Sequence, residues 1–363
     1  PGGALLSTRE ERVAGRPAAD WISATVDEFD AAPESTRLQR TSAVGSYDSN
    51  HVVAVERRTD HLAGPVPAGV SRERVHHIRA RQVVLATGAH ERPIVFRGND
   101  RPGIVLAGAA RAYLNRWGVA VGHRVVVATT NDSAYALVPE LQAAGVEVVA
   151  VIDSRATASA RASQVVADTG VRLILGAAVT GTAGEGPAGR ISGITVSALD
   201  EDAVAAPGGE DVAVDLLAVS GGHSPVIHLH GQRRGPIAWD ADIAAFVPTG
   251  PVRDQSTVGA MTGDYALASA LRQGAEAGHA AAAATGFDAE LTIPRPDTSD
   301  TPPAPHRPLW AVTSAEADPG DLTTHFVDFQ RDQSVADILR AMNAGMRSVE
   351  HIKRYTSIST AND

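Results

Sequence analysis

The sequence predicts a two-lobed α/β protein built on parallel strands, and three stretches carry that expectation. The clearest is "GHRVVVATTNDSAYALVPELQAAGVEVVAVIDSR". Strand Arg124–Ala128 leads into a polar turn, then a helix from about Ser133 to Ala143. Gly145 stops the helix, and strand Val146–Ile152 ends at Asp153. This β-α-β order implies a parallel pair with a right-handed crossover. In "VHHIRARQVVLATGA" the alternation Val75, Ile78, Ala80 gives way to an unbroken apolar run, Val83 to Ala86. Parallel strands buried on both faces read that way. "VDLLAVSGGHSP" is a further apolar strand running into glycines.

The remaining elements follow along the chain. "DWISATVDEFDAAPESTRLQ" spaces Trp21, Ile22, Val26 and Phe29 along one helical face. "TRLQRTSAVGSYDSNHVVAVERRTD" reads as strands joined by a turn, and the Pro/Gly-rich "HLAGPVPAGVSRER" leads on to the Val83 strand. After the β-α-β unit, "GVRLILGAAVTGTAG" and "RISGITVSALDED" supply short strands, with "DEDAVAAPGGED" as an exposed turn. "STVGAMTGDYALASALRQGAEAGHAAAAATGF" reads as a short strand ending at Gly263-Asp264, with an Ala-rich helix directly after. From about Pro294 to Pro308 the chain is rich in Pro, Thr and Asp, as linkers are. "SVADILRAMNAGMRSVEHIKRYTSI" is helical, divided near Gly345.

Composition narrows the function classes. At 363 residues the chain has room for two or three domains, and 44% apolar content suits a globular protein. No run of eighteen apolar residues occurs, so no transmembrane helix is expected. The start has no charged-then-apolar order of a signal peptide, so a cytoplasmic location is expected. A net charge of −10 with interspersed signs argues against nucleic acid or an anionic membrane surface as partner. The absence of Cys excludes disulfides, thiolate nucleophiles and cysteine-ligated metal centres. Lys353 is the single lysine, which leaves almost no candidate for Schiff-base chemistry.

The candidate chemistry gathers at strand ends. The turn "ATTNDSA", Ala128 to Ala134, has Thr, Asn and Asp where glycines normally let a backbone approach a pyrophosphate. Asp132 there opposes an anion and can instead cap the helix. Asp153 stands where a ribose-binding carboxylate is expected, with a purely structural Rossmann module as the alternative. "ATGAHERP" and "SGGHSP" each end a strand in small residues. Asp264 can accept from a ribose or ribityl hydroxyl, or serve as a helix cap, while the following helix turns its N-terminus to a phosphate. His228 and His230 in "GGHSPVIHLHGQ" fit one strand face, but no third ligand follows, so no metal site is expected. Asp240/Asp242 and Asp200/Glu201/Asp202 read as solvated turns. No Gly-x-Ser-x-Gly, His-Glu-x-x-His or P-loop supports a hydrolase or kinase.

Taken together, "RPAADW", "ARQVVLATGAHERPIVFRGNDRPGIVLAGAARAYLNRWGV", "TTNDSAYAL", "DLLAVSGGHSPVIHL", "FVDFQRDQSVADI" and "GMRSVEHIKRYT" carry a resemblance. They resemble the alpha-subunit family of heterotetrameric sarcosine oxidases, within the glutathione-reductase-like, two-dinucleotide-binding-domain flavoproteins. The strings spread over nearly the whole chain, and "ATGAHERP…GNDRPG" and "RSVEHIKRYT" are the specific ones. The resemblance implies oxidative demethylation of sarcosine, with oxygen reduced to hydrogen peroxide and the one-carbon unit passed to tetrahydrofolate or released as formaldehyde. It implies a complex with beta, gamma and delta subunits. FAD and the amine-oxidising site lie on the beta subunit, FMN at the alpha–beta interface, and NAD and a folate-binding domain on alpha. Carried onto this chain, Thr87 and Gly88 line the dinucleotide site, and Gly263 and Asp264 face its sugar or pyrophosphate. The form Gly263-Asp264 does not choose between NAD and FAD. Related dehydrogenase subunits place cluster-binding cysteines near the segment equivalent to "FVDFQRDQSV". Phe326, Asp328 and Phe329 stand there instead, which favours the sarcosine oxidase branch over the opine and proline dehydrogenase branches.

The expected organisation is a first dinucleotide-binding domain at 1–123 and 214–290, a second Rossmann-like domain at 124–213, a linker at 291–308 and a small helical domain at 309–363. The resemblance places a Gly-rich β-α-β before Pro1 and a folate-binding domain after Asp363, so this stretch alone is expected to be inactive. Two alternatives stand beside it: a subunit of a related flavin-dependent amine or opine dehydrogenase, and a non-catalytic scaffold subunit.

Overall fold

In the computed structural model, which describes residues 2–186, 189–288, 290–297, 304–313 and 319–360, two units form. One comprises Pro1–His90 and His223–Pro302, the other Glu91–Gly222 and Pro303–Asp363. Among the described residues no helix is long and apolar enough to cross a membrane.

The first unit opens with α1 (Ala18–Ala31), which starts after Pro17 and stops before Pro33. Ile22 is buried but Phe29 is exposed, so only the N-terminal half of the expected apolar face is covered. Strands β1 (Thr41–Tyr47), β2 (His51–Arg57) and β3 (Glu73–Arg79) form an antiparallel meander. Its first turn ends in Asn50, whose left-handed backbone Asn tolerates better than most residues. The buried Asn50 amide donates to the carbonyls of Arg81 (3.2 Å) and Asp254 (2.9 Å), tying the meander to the strand that follows. That strand, β4 (Val83–Leu85), is shorter than the sequence suggests; Leu85 is buried while Val84 is exposed.

The second unit is built on a parallel sheet. It begins with β5 (Ile104–Leu106) and α2 (Ala107–Trp117), then β6 (Arg124–Thr129), α3 (Leu137–Ala143) and β7 (Glu147–Asp153). Next come α4 (Ala160–Thr169) and β8 (Leu173–Leu175). An antiparallel layer, β9 (Ala177–Gly184), β10 (Ile191–Ala198) and β11 (Glu210–Ala213), precedes β12 (Leu216–Ser220). The parallel order is β8-β7-β6-β12-β5. Along β6, Val125 and Val127 face a core shared with Leu114, Leu137, Leu141 and Val165 of the helices. Val126 and Ala128 face the opposite core, shared with Val179, Ile194 and Val196 of the antiparallel layer. An unbroken valine run is what a strand covered on both faces requires.

This topology moves the expected domain boundaries. The sequence reading cuts the chain at 123/124 and 213/214, yet β5 and β12 lie beyond those cuts and pair into the same sheet as β6. The units divide at His90/Glu91 and Gly222/His223 instead. Residues 309–363, expected as a separate helical domain, belong to the second unit as well. Asn99 exchanges two hydrogen bonds with the backbone of Phe326, at 2.8 and 2.9 Å, and Leu309 and Val312 enter the second unit's core. Positions 298–303 of the expected linker lie outside the described residues. On either side the chain is docked, Arg295 against Ala14 and Arg307 against Ser154.

Back in the first unit, α5 (His228–Gln232) corrects the reading of a strand with a histidine face. On a helix His228 and His230 do not share a face. His230 is buried, with its ring nitrogens near Pro236 O (3.2 Å) and Gln255 Nε2 (3.3 Å). A hairpin, β13 (Ile237–Asp240) and β14 (Ala245–Pro248), precedes β15 (Gln255–Thr257), which runs parallel to β4 with Leu85 opposite Thr257. The strand therefore ends at Thr257 and not at Gly263-Asp264. A 3-10 turn, Gly259–Thr262, fills the interval before α6 (Leu267–Ala284). In the second unit the chain closes with α7 (Val335–Asn343) and α8 (Val349–Thr356), which flank Gly345 as expected.

Candidate functional site

Strands β4 and β15 end side by side, so the loops after them, 86–88 and 258–264, lie together at the carboxyl edge of a parallel pair. Ligands of α/β sheets bind at such edges. The Val258 amide donates to Leu85 O at 3.0 Å, locking the loops in register. The Thr87 hydroxyl donates to Val226 O at 2.6 Å, and its oxygen lies 3.3 Å from the sulfur of the fully buried Met261. The Gly88 carbonyl accepts from Val226 at 2.9 Å. Thr87 and Gly88 are thus brought onto the loop that carries Gly263 and Asp264.

The two glycines serve different ends. Both have left-handed backbones, φ +76° at Gly88 and +85° at Gly263. A Cβ on Gly88 would meet nothing within 4 Å, so open space adjoins the strand end. A Cβ on Gly263 would sit 2.8 Å from both Ile243 and Val247, so this turn also needs glycine for packing. Asp264 Oδ1 accepts from the Ala266 amide at 3.1 Å, just before α6. Among the described residues its Oδ2 takes a single long bond, 3.4 Å, from Gln273, which leaves acceptor positions for a ligand hydroxyl. Gln273 also accepts from the Gly259 amide at 2.7 Å, so one side chain of α6 holds both ends of the loop. These residues could hold the sugar end of a dinucleotide, with a half-buried carboxylate just before a helix and open space at Gly88.

Met261, Gln273 and Val226 were not legible as site residues. Val226 and Met261 reach Thr87 from 139 and 174 residues away in the chain, and Gln273, within reach of Asp264 and Gly259, carries no local pattern that sets it apart on an Ala-rich helix.

The second unit's strand ends differ sharply. Asp153, the expected ribose carboxylate, is completely buried and already bound. Arg155 donates to it through Nη2 (2.7 Å), Nε (3.0 Å) and its amide (2.9 Å), and the Tyr135 hydroxyl donates at 2.7 Å. Burial, reinforced by the Asp153 charge, pushes the Tyr135 phenol far above its ordinary range. Burial alone would lower the Arg155 pKa, but its bonds to Asp153 and Asp132 outweigh that and keep it charged. Asp132 precedes a 3-10 turn, Ser133–Ala136, that leads into α3, and its side chain makes no cap bond there. It accepts from Ser159 (2.6 Å) and Arg155 (2.8 Å) instead. Burial would raise the Asp132 pKa, yet the Ser159, Ala304 and Arg155 bonds together hold it below the usual carboxylate value. Asp153 is thus engaged in a structural ion pair, and Asp132 serves that pair and Ser159 and not a helix cap.

Glu91 was missed by the sequence reading. Its Oε2 accepts the Gly108 amide at 2.7 Å, satisfying an N–H at the start of α2, where the N-cap Leu106 has no polar side chain. Burial raises its pKa against the opposing bonds from Ser220 and Gly108.

Comparison with known proteins places this arrangement. Residues 323–363 match the family model described as the sarcosine oxidase A3 domain. Over its whole length the chain is 56% identical to the sarcosine oxidase subunit alpha of Corynebacterium sp. (strain P-1) and spans 37% of that protein's length. Among solved structures, an L-proline dehydrogenase from P. horikoshii superposes with a TM-score of 0.63 at 17% identity, covering 99% of this chain and 63% of that one. A thioredoxin reductase from T. acidophilum does so at 0.51 and 15%, covering 78% and 85%. These two likenesses are of fold, and the fold is the predicted glutathione-reductase-like, two-dinucleotide-binding-domain one with a C-terminal helical segment. From end to end, the chain belongs to the family of sarcosine oxidase alpha subunits.

Proposed function

We propose that this chain is the dinucleotide-binding core of the alpha subunit of a sarcosine oxidase, an oxidoreductase acting on CH–NH groups. Sarcosine, oxygen and water give glycine, formaldehyde and hydrogen peroxide, or the one-carbon unit passes to tetrahydrofolate. The observation that carries the chain's own part is the joining of Thr87–Gly88 to Gly263–Asp264 at the carboxyl ends of β4 and β15. We assign NAD to that place. A bound dinucleotide supplies a nucleotide and a redox-active ring, and this chain's residues hold its sugar end. Asp264 would accept from a ribose hydroxyl and the start of α6 would lie toward the pyrophosphate, while the Thr87–Met261 contact sets the spacing of the two loops. Amine oxidation falls to the FAD of a beta subunit and to an FMN at the alpha–beta boundary, with gamma and delta subunits completing a cytoplasmic complex. Sequence similarity to sarcosine oxidase alpha subunits supports this assignment of the whole.

The test is peroxide formation by the full-length subunit co-expressed with its partners, compared across sarcosine and other secondary amines. Sarcosine is expected to be the preferred substrate. Preference for an opine, or no amine-dependent peroxide, would sink the reading.

A further inference from the structure

In a doubly wound sheet the ligand lies outside the carboxyl ends of the strands, where the strand order reverses. In the second unit that place is the junction of β6 and β12, with β7 and β5 on opposite sides. The junction is bonded shut at its floor. The Thr130 amide donates to Ser220 O at 3.1 Å, and the Asn131 amide group donates to Ser220 Oγ, also at 3.1 Å.

Above that floor runs the chain's own segment 304–309. Its Ala304 amide donates to Asp132 Oδ2 at 3.0 Å, and its Arg307 amide reaches Thr130 O at 3.4 Å. Ser154, the first residue after β7, donates its hydroxyl to Arg307 O at 2.9 Å. The Arg307 guanidinium returns a bond to Ser154 O at 2.9 Å and another to Asp200 O. His306 packs against the backbone just after β12, since a Cβ on Gly222 would lie 3.2 Å from its Nδ1. The segment therefore contacts the residues following β6, β7 and β12, which are those a nucleotide would touch. It is anchored beyond by Leu309 and Val312, both buried among Val126, Ile152 and Val219. Paired backbone bonds between Val95 and residues 310 and 312, at 3.0 and 2.7 Å, complete the anchor. Asp132 and Asp153 would repel a pyrophosphate at the same spot, and the two cations beside them are engaged, Arg155 shared between the two carboxylates and Arg307 on the carbonyls of Ser154 and Asp200.

We infer that residues 304–309 are the resident occupant of the second unit's nucleotide crevice, so that this unit takes no dinucleotide. With the first-unit site proposed above, on which this clause rests, each alpha chain holds one. Hydrogen–deuterium exchange on the full-length complex, with and without saturating NAD, tests both statements separately. The amides of 304–313 are expected to exchange roughly tenfold or more slower than unbonded chain, at a rate NAD leaves unchanged. Arg307→Ala is expected to speed exchange of 304–310 about fivefold or more, because it removes two of the segment's anchoring bonds. Unprotected amides at 304–313, NAD-induced acceleration there, NAD-induced protection at 129–133 and 153–156, or no effect of Arg307→Ala would each overturn the assignment. Absence of NAD protection at 86–88 and 258–266 would count against the first-unit site alone.

Discussion

A single arginine decides what the aspartate at the end of β7 does. From sequence, Asp153 occupies a ribose-binding position; in the structure Arg155, two residues on, folds back and takes both carboxylate oxygens. A buried ion pair is weak evidence of net stability, but breaking one strands a charge. Asp153→Asn is therefore expected to cost about 3–5 kcal/mol in denaturant unfolding, without altering dinucleotide content. Glu91 gives a pH signature. Burial raises its folded pKa, so its contribution to stability is complete below its unfolded value and is lost as pH rises through the folded value. Glu91→Gln keeps an acceptor for the Gly108 amide without a charge. Its thermal midpoint is expected to match the parent in acid and exceed it at pH 8; a difference independent of pH would contradict this. Thr87, Gly88, Gly263 and Asp264 were named through the family resemblance of the strings around them, since a strand-end glycine or an Asp before a helix is by itself commonplace. Met261, Gln273 and Arg155 could not, because nothing local distinguishes a core methionine or a surface-type residue that folds inward.

Elements were legible where periodicity was long and failed where it was short. The β6-α3-β7 unit appears nearly at its expected bounds because an alternating-face valine strand, a helix and a Gly stop agree with one another. "VIHLH" has alternation compatible with a strand, yet five residues cannot separate a strand from one helical turn, and it forms α5. The segment after β15 shows the same ambiguity, since a 3-10 turn and a left-handed Gly263 replace the expected strand end. At α7 the sequence "SVAD" closes a cap: the Asp337 carboxylate accepts from the Ser334 amide and hydroxyl, both at 2.9 Å. Burial opposes the shift, but those bonds and Arg340 hold the Asp337 pKa below its ordinary value. Its contribution is thus present above the unfolded pKa and lost as pH falls through the folded one. Asp337→Ala is expected to cost about 1 kcal/mol at neutral pH, and the cost should shrink in acid denaturation.

At the scale of the molecule, the two-lobed class followed from strand composition, but the boundaries did not. Strand β12 joins β6 with Leu217 opposite Val126, and β5 joins the far side of β12 with Ile104 opposite Leu217, pairings about 90 and 110 residues apart in the chain, and no local pattern announces which sheet a short apolar strand will enter. The same holds for residues 309–363, whose membership of the second unit rests on Leu309, Val312 and the Asn99–Phe326 bonds. What the topology yields is an asymmetry. One unit presents open strand ends with a free carboxylate position, and the other has its strand ends filled by Arg155 and by residues 304–309. The most direct test of that asymmetry is a count. Full-length alpha subunit, purified in its complex, is denatured and the released NAD is quantified, for the parent and for Asp264→Ala. One NAD per alpha chain is expected from the parent. The variant should retain it roughly ten- to a hundredfold more weakly, the scale of one lost hydrogen bond to a charged group. No NAD from the parent, two per chain, or undiminished retention by Asp264→Ala would contradict the account.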